Sequence, residues 1–110
     1  MLEALWTVDF ITTSNIFGSG VAVLESGRIF GGDNQYYYLG TYELNARFLT
    51  ADLEIKHFAG PGHSAFGPAA LFNLRISGEV DQPVMELRGN IVEAPEKKIV
   101  MRLTRREELP

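Results

Sequence analysis

Leu49-Thr50-Ala51-Asp52-Leu53-Glu54-Ile55-Lys56-His57 alternates without a break. Leu49, Ala51, Leu53, Ile55 and His57 share one side, and Thr50, Asp52, Glu54 and Lys56 share the other. Successive side chains of an extended chain point to opposite faces, whereas a helix needs apolar residues three and four apart. The stretch is therefore a strand with one face for a core and one for water.

The same rhythm extends to both sides of it. Before it come three strands, Leu5 to Thr12, Phe17 to Leu24 and Arg28 to Phe30, and then a fourth, Tyr36 to Leu44, with Tyr36, Tyr38, Gly40, Tyr42 and Leu44 on one face. After it come Leu71 to Ser77, Val84 to Ile91 and Ile99 to Leu103. Ser14-Asn15, Ser26-Gly27, Asn45-Ala46, Asp81-Gln82-Pro83 and Ala94-Pro95-Glu96-Lys97 punctuate them. Ser26-Gly27 is a two-residue hairpin signal, because primed turns demand positive φ.

The chain thus predicts eight strands, no helix and no internal repeat, over one domain spanning residues 1–110. Short connections favour antiparallel neighbours. Eight up-and-down strands, each with one apolar face, close into an all-β barrel that leaves no exposed edge. A flattened β-sandwich is the alternative. At this strand number the interior holds side chains, or one small ligand. Gly40 and Gly89, on inward positions, are expected to leave space there.

The composition narrows the function classes. A hydrophobic fraction of 45% with 22% charged residues suits a globular fold and argues against disorder. The absence of cysteine excludes a disulfide framework, thiolate catalysis and a Cys-based metal site. A net charge of −4 argues against a nucleic-acid binder. No apolar stretch reaches membrane-spanning length and no secretory leader is visible, so the expected compartment is the cytoplasm. Arg102, Arg105 and Arg106, offset by Glu107 and Glu108, read as a solvated polar tail.

Gly31-Gly32-Asp33-Asn34 running into Tyr36-Tyr37-Tyr38-Leu39-Gly40 is the most distinctive segment. Together with Trp6-Thr7-Val8-Asp9-Phe10, Gly18-Ser19-Gly20-Val21, Ser26-Gly27-Arg28-Ile29-Phe30 and Leu74-Arg75-Ile76-Ser77-Gly78, it resembles the GrlR-type family. That family is named for a negative regulator of type III secretion gene expression and includes further bacterial relatives. The resemblance is firmest over the first half of the chain. It implies a calycin-like barrel, a homodimer, and a non-catalytic regulator that sequesters a protein partner, a transcriptional regulator. The family's namesake carries an exposed run of alternating acidic residues after the strand matching Tyr36 to Leu44. Here Leu44-Asn45-Ala46-Arg47 stands in that place.

Candidate sites follow from residue type and parity. Gly31, Gly32 and Asp33 read as a structural turn: the glycines reach backbone angles closed to other residues, and Asp33 bonds nearby amides. The segment lacks the Lys-Ser/Thr of a phosphate loop, and no helix follows it. Tyr36 and Tyr38 face inward. Tyr37 and Leu39 face outward and are more apolar than a solvated wall needs, so they mark a dimer or partner surface. Trp6, Tyr38, Leu53 and His57 are the residues that would line a ligand cavity. The second functional reading is accordingly a calycin-style binder or sensor of a small apolar molecule.

No catalytic residues, cofactor or metal are predicted. His63-Ser64 is not a triad, and His57, His63 and Asp33 have no metal-ligand spacing. The Ala59 to Ala70 loop is longer than a hairpin needs, and Phe66 within it is expected to plug or cover one end of the barrel.

Overall fold

The computed structural model describes residues 2–13, 17–59 and 71–110. It contains β1 (Ala4–Thr12), β2 (Phe17–Glu25), β3 (Arg28–Gly32), β4 (Tyr36–Asn45), β5 (Phe48–His57), β6 (Leu71–Glu79), β7 (Val84–Ile91) and β8 (Lys98–Glu107). They form one closed barrel in the order β1-β2-β3-β4-β5-β6-β7-β8, with every neighbouring pair antiparallel. The up-and-down barrel is thus the architecture, and the sandwich is set aside. Closure is made by β1 and β8, which pair from Thr12↔Ile99 to Leu5↔Glu107 with a bulge at Leu5/Trp6.

Period-two patterning explains the wall. Buried side chains alternate along β5 as Leu49, Ala51, Leu53 and Ile55, and along β8 as Ile99, Met101 and Leu103. Trp6, Leu24, Leu49, Leu74, Met85 and Leu87 are the largest fully buried side chains. The indole of Trp6 would be costly to bury with its N–H unpaired. It donates that N–H to the Leu2 carbonyl at 2.9 Å, drawing the segment before β1 over the core. The β2–β3 connection is the expected primed turn, with φ of 52° at Ser26 and 79° at Gly27.

Three expectations are corrected. Gly40 and Gly89 do not leave interior space. A Cβ on Gly40 would strike the Asp52 carbonyl oxygen and Leu53, and one on Gly89 would strike the Arg75 carbonyl and the Ile76 backbone. A small barrel must coil its strands sharply, and glycine lets adjacent backbones close together at such bends.

Gly31 and Gly32 do not form the turn either. Both belong to β3, where Gly31 pairs with Ala22 and Tyr38, and Gly32 with Val21 and Tyr37. Neither has positive φ, and the turn begins at Asp33. Gly31 is needed because a Cβ there would collide with Val21 and Ala22 of β2.

Finally, β8 runs past the expected end at Leu103, so Arg105 and Arg106 are strand residues with Arg102 and not a tail. β1 requires a partner along its whole edge, since unpaired buried backbone groups are costly. Arg106 Nε donates to Thr7 Oγ1 at 2.8 Å across that seam.

Among the described residues no helix is long and apolar enough to cross a membrane.

Candidate functional site

The glycine–tyrosine segment is a braced corner. Asp33 Oδ1 accepts the N–H groups of Gln35 and Tyr36, each at 2.8 Å, while Asp33 N–H donates to the Tyr36 carbonyl at 2.9 Å. From inside the barrel, the Tyr38 hydroxyl donates to Asp33 Oδ2 at 2.5 Å. Burial raises the Tyr38 phenol well above the ordinary tyrosine range, and the hydrogen bond to the Asp33 carboxylate and that group's charge add to it.

Gly20 completes the corner. A Cβ there would lie 2.6 Å from the Gly32 carbonyl oxygen and 3.0 Å from the Tyr38 hydroxyl. Two glycine motifs far apart in sequence therefore serve one polar tie, which makes this segment a structural device of the fold.

The residues assigned to a ligand cavity are packed. Trp6 is fully buried, and Tyr38 and Leu53 are each 5% exposed. His57 is half-buried at the end of β5, with the Tyr36 ring edge-on at 5.1 Å and Phe72 beyond it. Its Nε2 is buried and has no hydrogen-bond partner among the described residues. His63, Ser64, Phe66 and the segment 60–70 lie outside the described residues. Among the described residues no group of three His, Asp or Glu side chains could hold a metal ion.

The outer wall holds the larger feature. Tyr37 and Leu39 do face outward, 39% and 44% exposed. Ladder register sets them in a wider array. One row across the wall reads Leu5↔Val23↔Phe30↔Leu39, and the adjacent row reads Thr7↔Val21↔Gly32↔Tyr37. The Phe58 ring, itself exposed, stacks on Tyr37 with 6.1 Å between centroids.

Val21, Tyr37 and Leu39 are exposed and Leu5, Val23 and Phe30 half-buried, so the two rows form a contiguous apolar strip partly turned to water, the kind of surface that marks an interaction site. Gly32 carries no side chain because β3 and β4 lie close there: a Cβ would stand 2.9 Å from the Tyr36 carbonyl oxygen and 3.3 Å from the Tyr37 Cα. Two balanced charge pairs border the strip: Glu25–Arg28 and Glu54–Lys56, each at 3.9 Å. Arg28 also lies over the Phe30 ring at 5.3 Å.

The rest of the wall is different. Asp52↔Arg75↔Asn90↔Lys98 runs across β5 to β8, with Arg75 Nε on Asp52 Oδ1 at 2.8 Å. An outer groove of about 430 Å³ borders it, where Leu39 and Val92 stand beside Gly40, Asp52, Glu54 and Arg75. A smaller apolar cluster of Ile11, Phe17 and Val100 is flanked by Asp9, Glu86 and Arg102.

Parity reasoning found Tyr37 and Leu39 but missed Leu5, Val21, Val23 and Phe30. Their signal was present in Val21-Ala22-Val23-Leu24, apolar on both faces, and in Phe30 directly after Ile29. Only the register shows that these odd-face residues stand beside one another.

The architecture is that of an eight-stranded, calycin-like up-and-down barrel. No family model and no curated protein sequence matches the chain.

Proposed function

We propose that this protein acts by binding and not by catalysis, and that it holds protein surfaces against the outer face of β1 to β4. In this reading it is a regulatory binding protein of the GrlR type, cytoplasmic and self-associating, whose partner is a transcriptional regulator. The observation that carries the proposal is the pair of adjoining rows, Leu5–Val23–Phe30–Leu39 and Val21–Gly32–Tyr37, on the solvent side of a closed wall. Side chains there gain nothing for the barrel's own core, so covering them with another protein is the arrangement that removes them from water.

The small-ligand reading draws less support, because Trp6, Tyr38 and Leu53 are themselves core. The acidic run of the family namesake is replaced by Leu44-Asn45-Ala46-Arg47, so the apolar rows would have to do the holding here.

A photo-crosslinking side chain placed at Leu39 in cells of the native host tests this. Protein adducts are expected at Leu39 and not at Asn73, which lies two ladder positions along the same row. Equal yields at the two positions, or none at Leu39, would overturn the reading.

A further inference from the structure

We propose that the barrel end where β1, the β2–β3 turn and β8 meet carries a small-molecule site, whose ligand is a free α-amino acid with a basic side chain. The proposal is independent of the apolar rows. A hollow of about 350 Å³ opens at this end, lined by Glu3, Glu25, Ser26, Arg105, Glu108 and Leu109. Its size falls at the small end of the range for small-molecule sites.

Arg105 stands opposite Trp6 in the β1–β8 ladder, so its side chain starts on the core side of the wall and reaches the hollow from within. Its backbone N–H donates to the Pro83 carbonyl at 2.7 Å, which fixes the strand there. The guanidinium Nε is buried and has no hydrogen-bond partner among the described residues. Buried polar groups are nearly always paired, and a charged one is the costliest to leave alone.

Three carboxylates share the hollow, yet among the described residues none forms an ion pair with Arg105. Two of them are held elsewhere. Glu3 Oε2 accepts the Ser26 N–H at 2.8 Å and the Ser26 hydroxyl at 3.2 Å. Glu25 faces Arg28, 3.9 Å away. Glu108, just past β8, stands exposed. Unlike charges are thus kept apart in one hollow, with the cation on its inner side.

That separation selects the ligand. A simple anion would satisfy Arg105 but meet three glutamates. A simple cation would satisfy the glutamates but leave Arg105 unpaired. A zwitterion suits both, with its carboxylate on the guanidinium and its ammonium group toward the glutamates. One arginine against three glutamates leaves the lining at −2, which favours a second positive charge on the ligand. Leu109 gives the aliphatic stem of such a side chain an apolar neighbour.

The test titrates the unmodified chain with L-lysine and with cadaverine, the diamine that lacks only the carboxylate, following amide chemical shifts. L-lysine should bind, and cadaverine should bind about tenfold more weakly, because it leaves the guanidinium unpaired. Arg105→Met should weaken L-lysine by about tenfold and tighten cadaverine, because a repelling charge is gone. A folding defect would weaken both probes, so the opposite signs report the pairing itself. Glu108→Gln, on the exposed segment after β8, should weaken both. No shift changes with L-lysine up to about 10 mM, or equal affinities of the unmodified chain for the two probes, would overturn the inference. So would changes of the same sign for both probes in Arg105→Met. Adducts at Leu39 depend on none of these groups, so the outer face stands or falls separately.

Discussion

The two halves of the barrel's outer wall are built by the same period-two rule and end in opposite surfaces. On β5 to β8 the outward positions carry Asp52, Glu54, Arg75, Arg88 and Lys98, with ion pairs across and along strands, and exposed Phe48, Leu71 and Val84 stand singly at the strand starts. On β1 to β4 they carry Leu5, Val21, Val23, Phe30, Tyr37 and Leu39. Inward, both halves are alike, with Trp6 and Leu24 on one side and Leu49, Leu74 and Leu87 on the other, all buried. The inner face is thus dictated by folding, which treats the two halves equally. The outer face is free to differ, and its asymmetry is where function can be written.

The sharpest way to break the comparison is to put charge into the apolar half. Phe30→Asp should leave a folded barrel, since Phe30 faces outward, yet lower self-association by more than tenfold in sedimentation equilibrium. Asn73→Asp on the charged half should change it by less than twofold. Equal effects would mean that the two halves do not differ in role.

A smaller effect is expected at the corner beneath the face. Tyr38→Phe removes the donor to Asp33 Oδ2 and should cost about 1–2 kcal/mol in urea unfolding, the order of a buried hydrogen bond with one partner left behind. The same variant tests the pH dependence. The folded pKa of Tyr38 is raised, so the unfolded chain loses the phenolic proton first, and stability falls as pH rises past about 10, the ordinary tyrosine value. Below that pH the contribution is fully present. The wild-type protein should lose stability more steeply than Tyr38→Phe on going from neutral into strongly alkaline solution, followed by circular dichroism. Parallel losses would remove Tyr38 as the cause.

The smallest change is expected on the charged half. Arg75→Ala removes an exposed pair, and exposed pairs are strongly screened by water and salt. No resolvable change in thermal midpoint is expected at moderate salt. A large loss would show that this wall is held by its ion pairs and is more than a solvated surface.

Much of the fold was legible in the chain because alternation and turn residues are local signals. All eight strands could be located, from the unbroken rhythm of Leu49 to His57 outward to the primed turn at Ser26-Gly27. What was not legible depended on register. Gly40 and Gly89 look like absent side chains until the opposing carbonyls of Asp52 and Arg75 are seen beside them. Gly31-Gly32 looks like a turn, and only the ladder with Val21 and Ala22 shows that it must be strand. Arg105 and Arg106 look like a tail because charge hides a strand whose need comes from the far end of the chain, at β1.

The candidate face suffered most. Tyr37 and Leu39 could be placed outward from parity alone, but Leu5, Val23 and Phe30 come from three separate strands. Their adjacency is a property of the β1–β2 and β2–β3 ladder register, which local pattern cannot express. Asp33 was legible as a bonding turn residue. Its tie to Tyr38 through the gap at Gly20 was not, because that contact joins three strands.

The most direct test of the central claim, that the outer face of β1 to β4 is an interface, is the mass of the protein in solution as a function of concentration. Sedimentation equilibrium of the unmodified chain should approach twice its 12.2 kDa as concentration rises. The Phe30→Asp chain should stay at 12.2 kDa over the same range. A mass of one chain for both proteins at every concentration, with no adduct at Leu39 in the cell, would contradict it.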